Sequence, residues 1–180
     1  GTELRVTDTN GDMVAFASGN SICFKSGASD TSTVFDNIKT INFDAVDTTR
    51  VTSAAYAFYN MKSLTTITGL SRWDTSKITT MNSMFKRCTG LKSLDFSSFN
   101  TKNVTDFSSM MYGCTGLSKI TVADTFATAY LPTPGFSTGF TYVSSKMGLT
   151  ITGNPSSALS GYNFTSDNRT VTYNTSTASD

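Results

Sequence analysis

Residues 78–91 read ITTMNSMFKRCTGL and residues 104–117 read VTDFSSMMYGCTGL, one pattern of apolar and small polar positions displaced by 26 residues. The stretch 51–64, VTSAAYAFYNMKSL, keeps the same frame one unit earlier, with a displacement of 27. Ahead of each lies a further match: Val46-Asp47-Thr48-Thr49-Arg50, Trp73-Asp74-Thr75-Ser76-Lys77 and Phe99-Asn100-Thr101-Lys102-Asn103. A period of this size constrains the fold more than any other feature. Each unit is too small to bury its own apolar side, so neighbouring units must stack on one another to make a core.

Every unit divides into two halves. Its end carries an apolar alternation, with Leu91, Leu94 and Phe96 in one unit and Leu117, Ile120 and Val122 in the next. Leu64, Ile67 and Leu70, with Gly69 inserted, and before them Ile38, Ile41 and Phe43, complete four rungs. Alternation of this kind predicts strands, with Asn42 and Asp95 on the opposite face from the apolar residues. The other half has a spacing of three and four: Ile78, Met81, Met84, Phe85 and Cys88, repeated as Val104, Phe107, Met110, Met111 and Cys114. That stripe predicts a short helix per unit. Thr105 and Asp106 are placed to accept bonds from its first amides, and Gly90 and Gly116 to stop it. A strand and a short helix per turn of about 26 residues predict an α/β repeat, a leucine-rich-repeat solenoid of parallel strands.

The repeats are expected over residues 38–125. Residues 1–37 read as an N-terminal cap with a β-hairpin, since Leu4–Thr7 and Met13–Phe16 flank an Asn10-Gly11 turn. Residues 126–180 read as a β-rich C-terminal cap, interrupted by Pro132 and Pro134, with short strands at Leu149–Thr152 and Thr170–Tyr173.

Residues 84–106, MFKRCTGLKSLDFSSFNTKNVTD, resemble the BspA-type leucine-rich repeats, also called the DUF285 or mycoplasma-lipoprotein repeat family. The resemblance is specific across residues 64–122, weaker over 38–63 and absent from the flanks. It implies an exported protein, secreted or held at the cell surface by a lipid or wall anchor, that takes part in adhesion or in binding host matrix or neighbouring cells. It implies no catalytic residue. The chain departs from the family pattern at Met61, where cysteine is usual, and at Ala54 and Ala57, where methionine is preferred.

Composition closes off other classes. The chain has no histidine, which removes the commonest general base and zinc ligand. Lysine and arginine number 14 against 13 acidic residues, a net charge of +1 with no basic run to attract nucleic acid. No apolar stretch approaches the roughly 18 residues of a membrane helix. Any membrane attachment is therefore expected through a lipid anchor outside this stretch. The chain opens Gly1-Thr2-Glu3 without an initiator methionine, so a signal segment is likewise expected to lie outside it. Among the repeat-embedded carboxylates Asp74, Asp95 and Asp106, no two share a column on neighbouring rungs, as glycosidase chemistry would ask. No enzyme activity and no cofactor or metal are expected.

Several conspicuous residues reduce to packing once the repeat frame is laid over them. Cys88 and Cys114 share a slot with Met61, which favours buried free thiols over a disulfide between adjacent rungs. Trp73 and Phe99 share a slot with Val46 and read as core rather than as sugar platforms. Cys23 reads as a further core residue. Asp8-Thr9-Asn10-Gly11-Asp12 resembles the start of a calcium loop, but no glutamate closes it and a hairpin turn explains it with less. Asn-x-Ser/Thr triplets at Asn103, Asn163 and Asn168 are as expected in a chain so rich in serine and threonine.

What remains for binding is the polar face of the strands. One column is Thr40, Thr66, Ser93 and Lys119; the other is Asn42, Thr68, Asp95 and Thr121. These are the candidate contact residues for a protein or glycan ligand on a host or neighbouring cell, presented by a monomer. Their small size and lack of aromatic anchors leave a second class open, a spacer domain with no ligand of its own.

Overall fold

The computed structural model describes residues 1–6, 14–15, 21–22, 36–117, 119–122, 149–152 and 171–174. The Asp8–Asp12 segment, Cys23, Asn163 and Asn168 lie outside them. Among the described residues the chain forms parallel strands in small sheets: β1 (Glu3–Arg5), β2 (Val14–Ala15), β3 (Thr40–Asn42), β4 (Val46–Asp47), β5 (Thr66–Thr68), β6 (Ser93–Phe96), β7 (Lys119–Val122), β8 (Leu149–Thr152) and β9 (Val171–Asn174). One sheet has the order β1-β3-β5, a second pairs β2 with β4, and a third runs β6-β7-β8-β9.

The register is that of the repeat. Thr40 faces Thr66 and Asn42 faces Thr68 across β3 and β5, while Ser93 faces Lys119 and Asp95 faces Thr121 across β6 and β7. Along β6 burial alternates, with Leu94 and Phe96 inside and Ser93 and Asp95 exposed, as a strand with one covered face requires. β1 and β2, expected to be the two arms of a hairpin, do not pair with each other. Each instead lies parallel to a later strand, β1 on β3 and β2 on β4, so the N-terminal stretch continues the ladder. The strands expected near residues 149 and 170 are β8 and β9, and they extend the third sheet in parallel.

The second half of each unit is not helical. The sole helical element among the described residues is a 3₁₀ turn at Leu70–Arg72. Residues 53–61, 80–88 and 106–114 run as successive tight turns. Alternate amides close local turns, as in Ala57 N–H to the Ala54 carbonyl at 3.2 Å and Cys88 N–H to Phe85 at 3.0 Å. The amides between them donate sideways to the next unit. Ala54, Tyr56, Phe58 and Asn60 donate to the carbonyls of Thr80, Asn82, Met84 and Lys86, and Met81, Ser83, Phe85 and Arg87 to those of Asp106, Ser108, Met110 and Tyr112.

A positive φ recurs in each segment, at Tyr56 and Asn60, Ser83 and Arg87, Ser109 and Gly113, and turns the backbone sideways toward the neighbouring unit. A stripe of spacing three and four faces one side in either geometry, and Met81, Met84, Phe85 and Cys88 are fully buried here. What decides between the two is the ladder. A helix of this length is marginal by itself, whereas sideways bonding joins each unit to the next.

The expected N-cap and stop positions take other roles accordingly. Asp106 accepts from Ser108 N–H at 2.9 Å in a two-residue turn. Gly90 and Gly116 are needed for close approach, since a Cβ would stand 2.6 Å from the Leu64 carbonyl oxygen at the first and 2.2 Å from that of Thr89 at the second.

Side chains tie the turns to their neighbours. Thr75 is almost fully buried, receives Asn100 N–H at 2.8 Å and donates to the Asn100 carbonyl at 3.1 Å. Thr48 receives Asp74 N–H at 2.7 Å one unit earlier. Inside, a line of rings runs along the stack: Phe43 against Trp73 at 4.9 Å, Phe58 against Phe85 at 5.0 Å, and Phe96 against Phe99 at 5.0 Å. Trp73, Phe99 and Val46 are all buried, as are Met110 and Met111.

Candidate functional site

The two columns of small polar side chains are each interrupted at the same place. Thr40 and Thr66 stand side by side, as do Ser93 and Lys119, but β5 and β6 belong to different sheets. Thr66 is therefore not paired with Ser93, nor Thr68 with Asp95. The cause is the extra residue of the 27-residue unit. Gly69 takes a left-handed φ of 75°, and a Cβ there would meet the Phe43 carbonyl carbon at 2.7 Å. The chain then enters the 3₁₀ turn at Leu70–Arg72, anchored by Arg72 Nη1 donating to the Asp44 carbonyl at 3.0 Å.

Between the two strands opens a cleft of about 390 Å³. Thr65, Thr66, Ser71, Ser93 and Asp95 supply its polar lining, and Ile67, Leu70, Leu91 and Leu94 its apolar lining. Three of the eight candidate residues, Thr66, Ser93 and Asp95, thus meet at one concavity. Thr40, Asn42, Lys119 and Thr121 lie on the flanking strands. Thr68, partly buried, holds a hydroxyl oxygen with no hydrogen-bond partner. Sequence reasoning marked the Gly69 insertion, which sets Ile67 and Leu70 three apart where the other rungs have two, but not its effect on the columns.

Two of the acceptors on this face are already engaged. Asn42 Oδ1 receives Asp44 N–H at 2.8 Å, and Asp95 Oδ1 receives Ser97 N–H at 2.9 Å. The same device recurs at the next corner. Hydrogen bonds from the Thr49 amide and hydroxyl hold the Asp47 carboxyl below its ordinary range. Those from the Ser76 hydroxyl and amide do the same for Asp74. These carboxylates hold turns of their own backbone.

Cys88 and Cys114 are free and buried. The Cys88 thiol donates to the Phe58 carbonyl at 2.9 Å and the Cys114 thiol to the Phe85 carbonyl at 3.0 Å. Burial pushes Cys88 well above the ordinary thiol value and Cys114 up to about 12. Thiols held neutral in this way are poor nucleophiles and poor metal ligands.

Residues 29–129, more than half of the chain, match the family described as Mycoplasma protein of unknown function, DUF285. The chain belongs to the DUF285 family. No curated protein and no solved structure matches it. The DUF285 region takes in the units from β3 to β7 together with the cleft, so the columns and the concavity that breaks them lie within the family's own segment.

Proposed function

We propose that this DUF285 chain is a non-enzymatic binding module, built as a solenoid of BspA-type leucine-rich repeats and displayed by a secreted or surface-anchored protein. The cleft between β5 and β6 carries the reading. It gathers polar side chains from both columns beside Ile67, Leu70, Leu91 and Leu94 in one concavity. The solenoid reading draws on the shared register of the parallel strands and on the sideways amide ladder between units. The ligand is a protein or glycan of a host or neighbouring cell, met by a monomer without a cofactor. Attachment is through a lipid anchor outside this stretch; among the described residues no helix is long and apolar enough to cross a membrane.

The test is an array of matrix proteins and glycans probed with the full chain and with Ser93→Trp, which fills the cleft from an exposed position. A ligand that binds the native chain and loses at least about tenfold in affinity to the Trp variant supports the proposal. Silence across the arrays from a folded chain sinks it. A spacer role without a ligand is the second reading. It is favoured by Asn42 and Asp95, whose side-chain oxygens serve their own turns.

A further inference from the structure

The turn side of the stack carries a feature that neither the strand face nor the core absorbs. Tyr59, Lys86 and Tyr112 occupy one slot in three successive units, at displacements of 27 and 26 residues. The Lys86 ammonium lies 5.9 Å from the centre of the Tyr59 ring and 5.3 Å from that of Tyr112, so one cation is bracketed by two rings. Ladder bonds on either side fix the spacing: Asn60 N–H to the Lys86 carbonyl at 2.8 Å, and Arg87 N–H to the Tyr112 carbonyl at 2.7 Å. Tyr56 adds a third ring, set edge-on to Tyr59 at 5.6 Å.

Tyr56 is 42% exposed, and it is the one large hydrophobic residue exposed among those described. It also has a φ of 59°, a region bulky side chains rarely adopt, and in the equivalent slot the other units carry the small residues Ser83 and Ser109. A large, partly exposed ring in one unit, where the other two have serine, sets this position apart.

The charge on the three turn segments is mostly positive. Segments 53–62, 80–89 and 106–115 contain Lys62, Lys86 and Arg87 against a single carboxylate, Asp106, which accepts both the amide and the hydroxyl of Ser108. Lys62 is exposed, and Lys86 and Arg87 are half-buried.

Aromatic rings with a cation held between them suit a ligand with flat apolar C–H faces and an anionic group within a few ångströms. We infer that the Tyr56–Tyr59–Lys86–Tyr112 surface is a binding site for an acidic glycan, a chain of sugars bearing carboxylates. Tyr56 and Tyr59 meet the ring faces, and Lys86 meets the carboxylate. A membrane would ask for more exposed apolar surface than one tyrosine, and an acidic peptide lacks the flat C–H faces that suit the rings. The site lies on the turn segments rather than the strands and does not depend on the cleft reading.

The test is calorimetric titration of the full chain with a hyaluronan hexasaccharide, which alternates uronic acid and N-acetyl sugar. A neutral chitin hexasaccharide, a polyglutamate peptide of matched charge and inorganic sulfate serve as comparisons. Saturable binding of the hyaluronan hexasaccharide, at least about tenfold tighter than any comparison, is expected. Lys86→Met, which keeps the aliphatic stem, loses about tenfold or more, while Lys86→Arg stays within about threefold. Tyr56→Ser also weakens binding at least about fivefold with an unchanged melting temperature, because serine already occupies that slot in two other units. If Lys86→Met fails to fold, Tyr56→Ser and the acidic-to-neutral ratio decide. Absence of saturable binding at millimolar ligand, equal affinity for chitin or polyglutamate, or indifference to Tyr56→Ser overturns the inference.

Discussion

Phe85 shows how much of the stack hangs on single side chains. It is fully buried, stacked on Phe58 at 5.0 Å and tilted against Phe96 at 5.8 Å, so it joins two units and both halves of its own. Phe85→Ala is expected to cost about 3–5 kcal/mol, read as a shifted midpoint in urea unfolding. An unchanged midpoint would contradict the packing described for the turns. Cys88 and Cys114 give a pH effect with a definite sign. Their folded values lie above the ordinary 9.0, so above that pH the unfolded chain sheds protons that the folded chain retains. The contribution of each is complete below pH 9 and is lost as pH rises above it, for Cys114 up to about 12, at roughly 1.4 kcal/mol per pH unit. Stability measured from pH 8.5 to 10.5 should therefore fall less steeply in the Cys88→Ala/Cys114→Ala variant than in the native chain. Parallel slopes would show that the thiols ionise freely in the folded state.

Gly69 settles the geometry of its element. Gly69→Ala must place a methyl 2.7 Å from a backbone carbon on a left-handed residue, and is expected to cost on the order of 2 kcal/mol or more. Denaturant unfolding checks this, and a neutral result would mean that the Gly69 turn and the cleft beside it relax at little cost.

The elements also show where sequence reasoning carries and where it stops. Strands at residues 40, 66, 93 and 119 were legible because burial of one face forces the alternation that Ile41, Leu94 and Ile120 display. The turn ladder was not, because Met81, Met84, Phe85 and Cys88 fall on one side whether the backbone is a helix or a row of tight turns. The sideways amide bonds and the positive φ values at Ser83 and Arg87 distinguish the two, and neither residue type announces them. The break in the columns between Thr66 and Ser93 was equally hidden. The sequence places them in one slot, and it is the backbone at Gly69 that parts them.

At the scale of the whole molecule, the strands and the threonine ties recur at intervals of 26 or 27 residues. Thr65, Thr79, Thr89 and Thr105 each donate a hydroxyl to a carbonyl 26 or 27 residues earlier, at Lys39, Thr52, Lys62 and Thr79 respectively. Because these bonds run between units, opening one unit strips partners from its neighbours. Amide exchange in the segments 54–60 and 81–87 should accordingly be slowed together rather than residue by residue. Independent exchange rates for the two segments would show that the sideways ladder does not hold in solution.

The sideways bonds have a consequence for the length of such proteins. A donor such as the Phe58 amide requires a carbonyl at a fixed position in the unit after it, and any unit of the right period supplies one. Excising residues 78–103 would join Lys77 to Val104, where Asn103 stood before, and keep the repeat frame of the sequence on both sides. A gene of this kind can therefore grow or shrink by whole multiples of its repeat through unequal recombination, with no new interface to evolve.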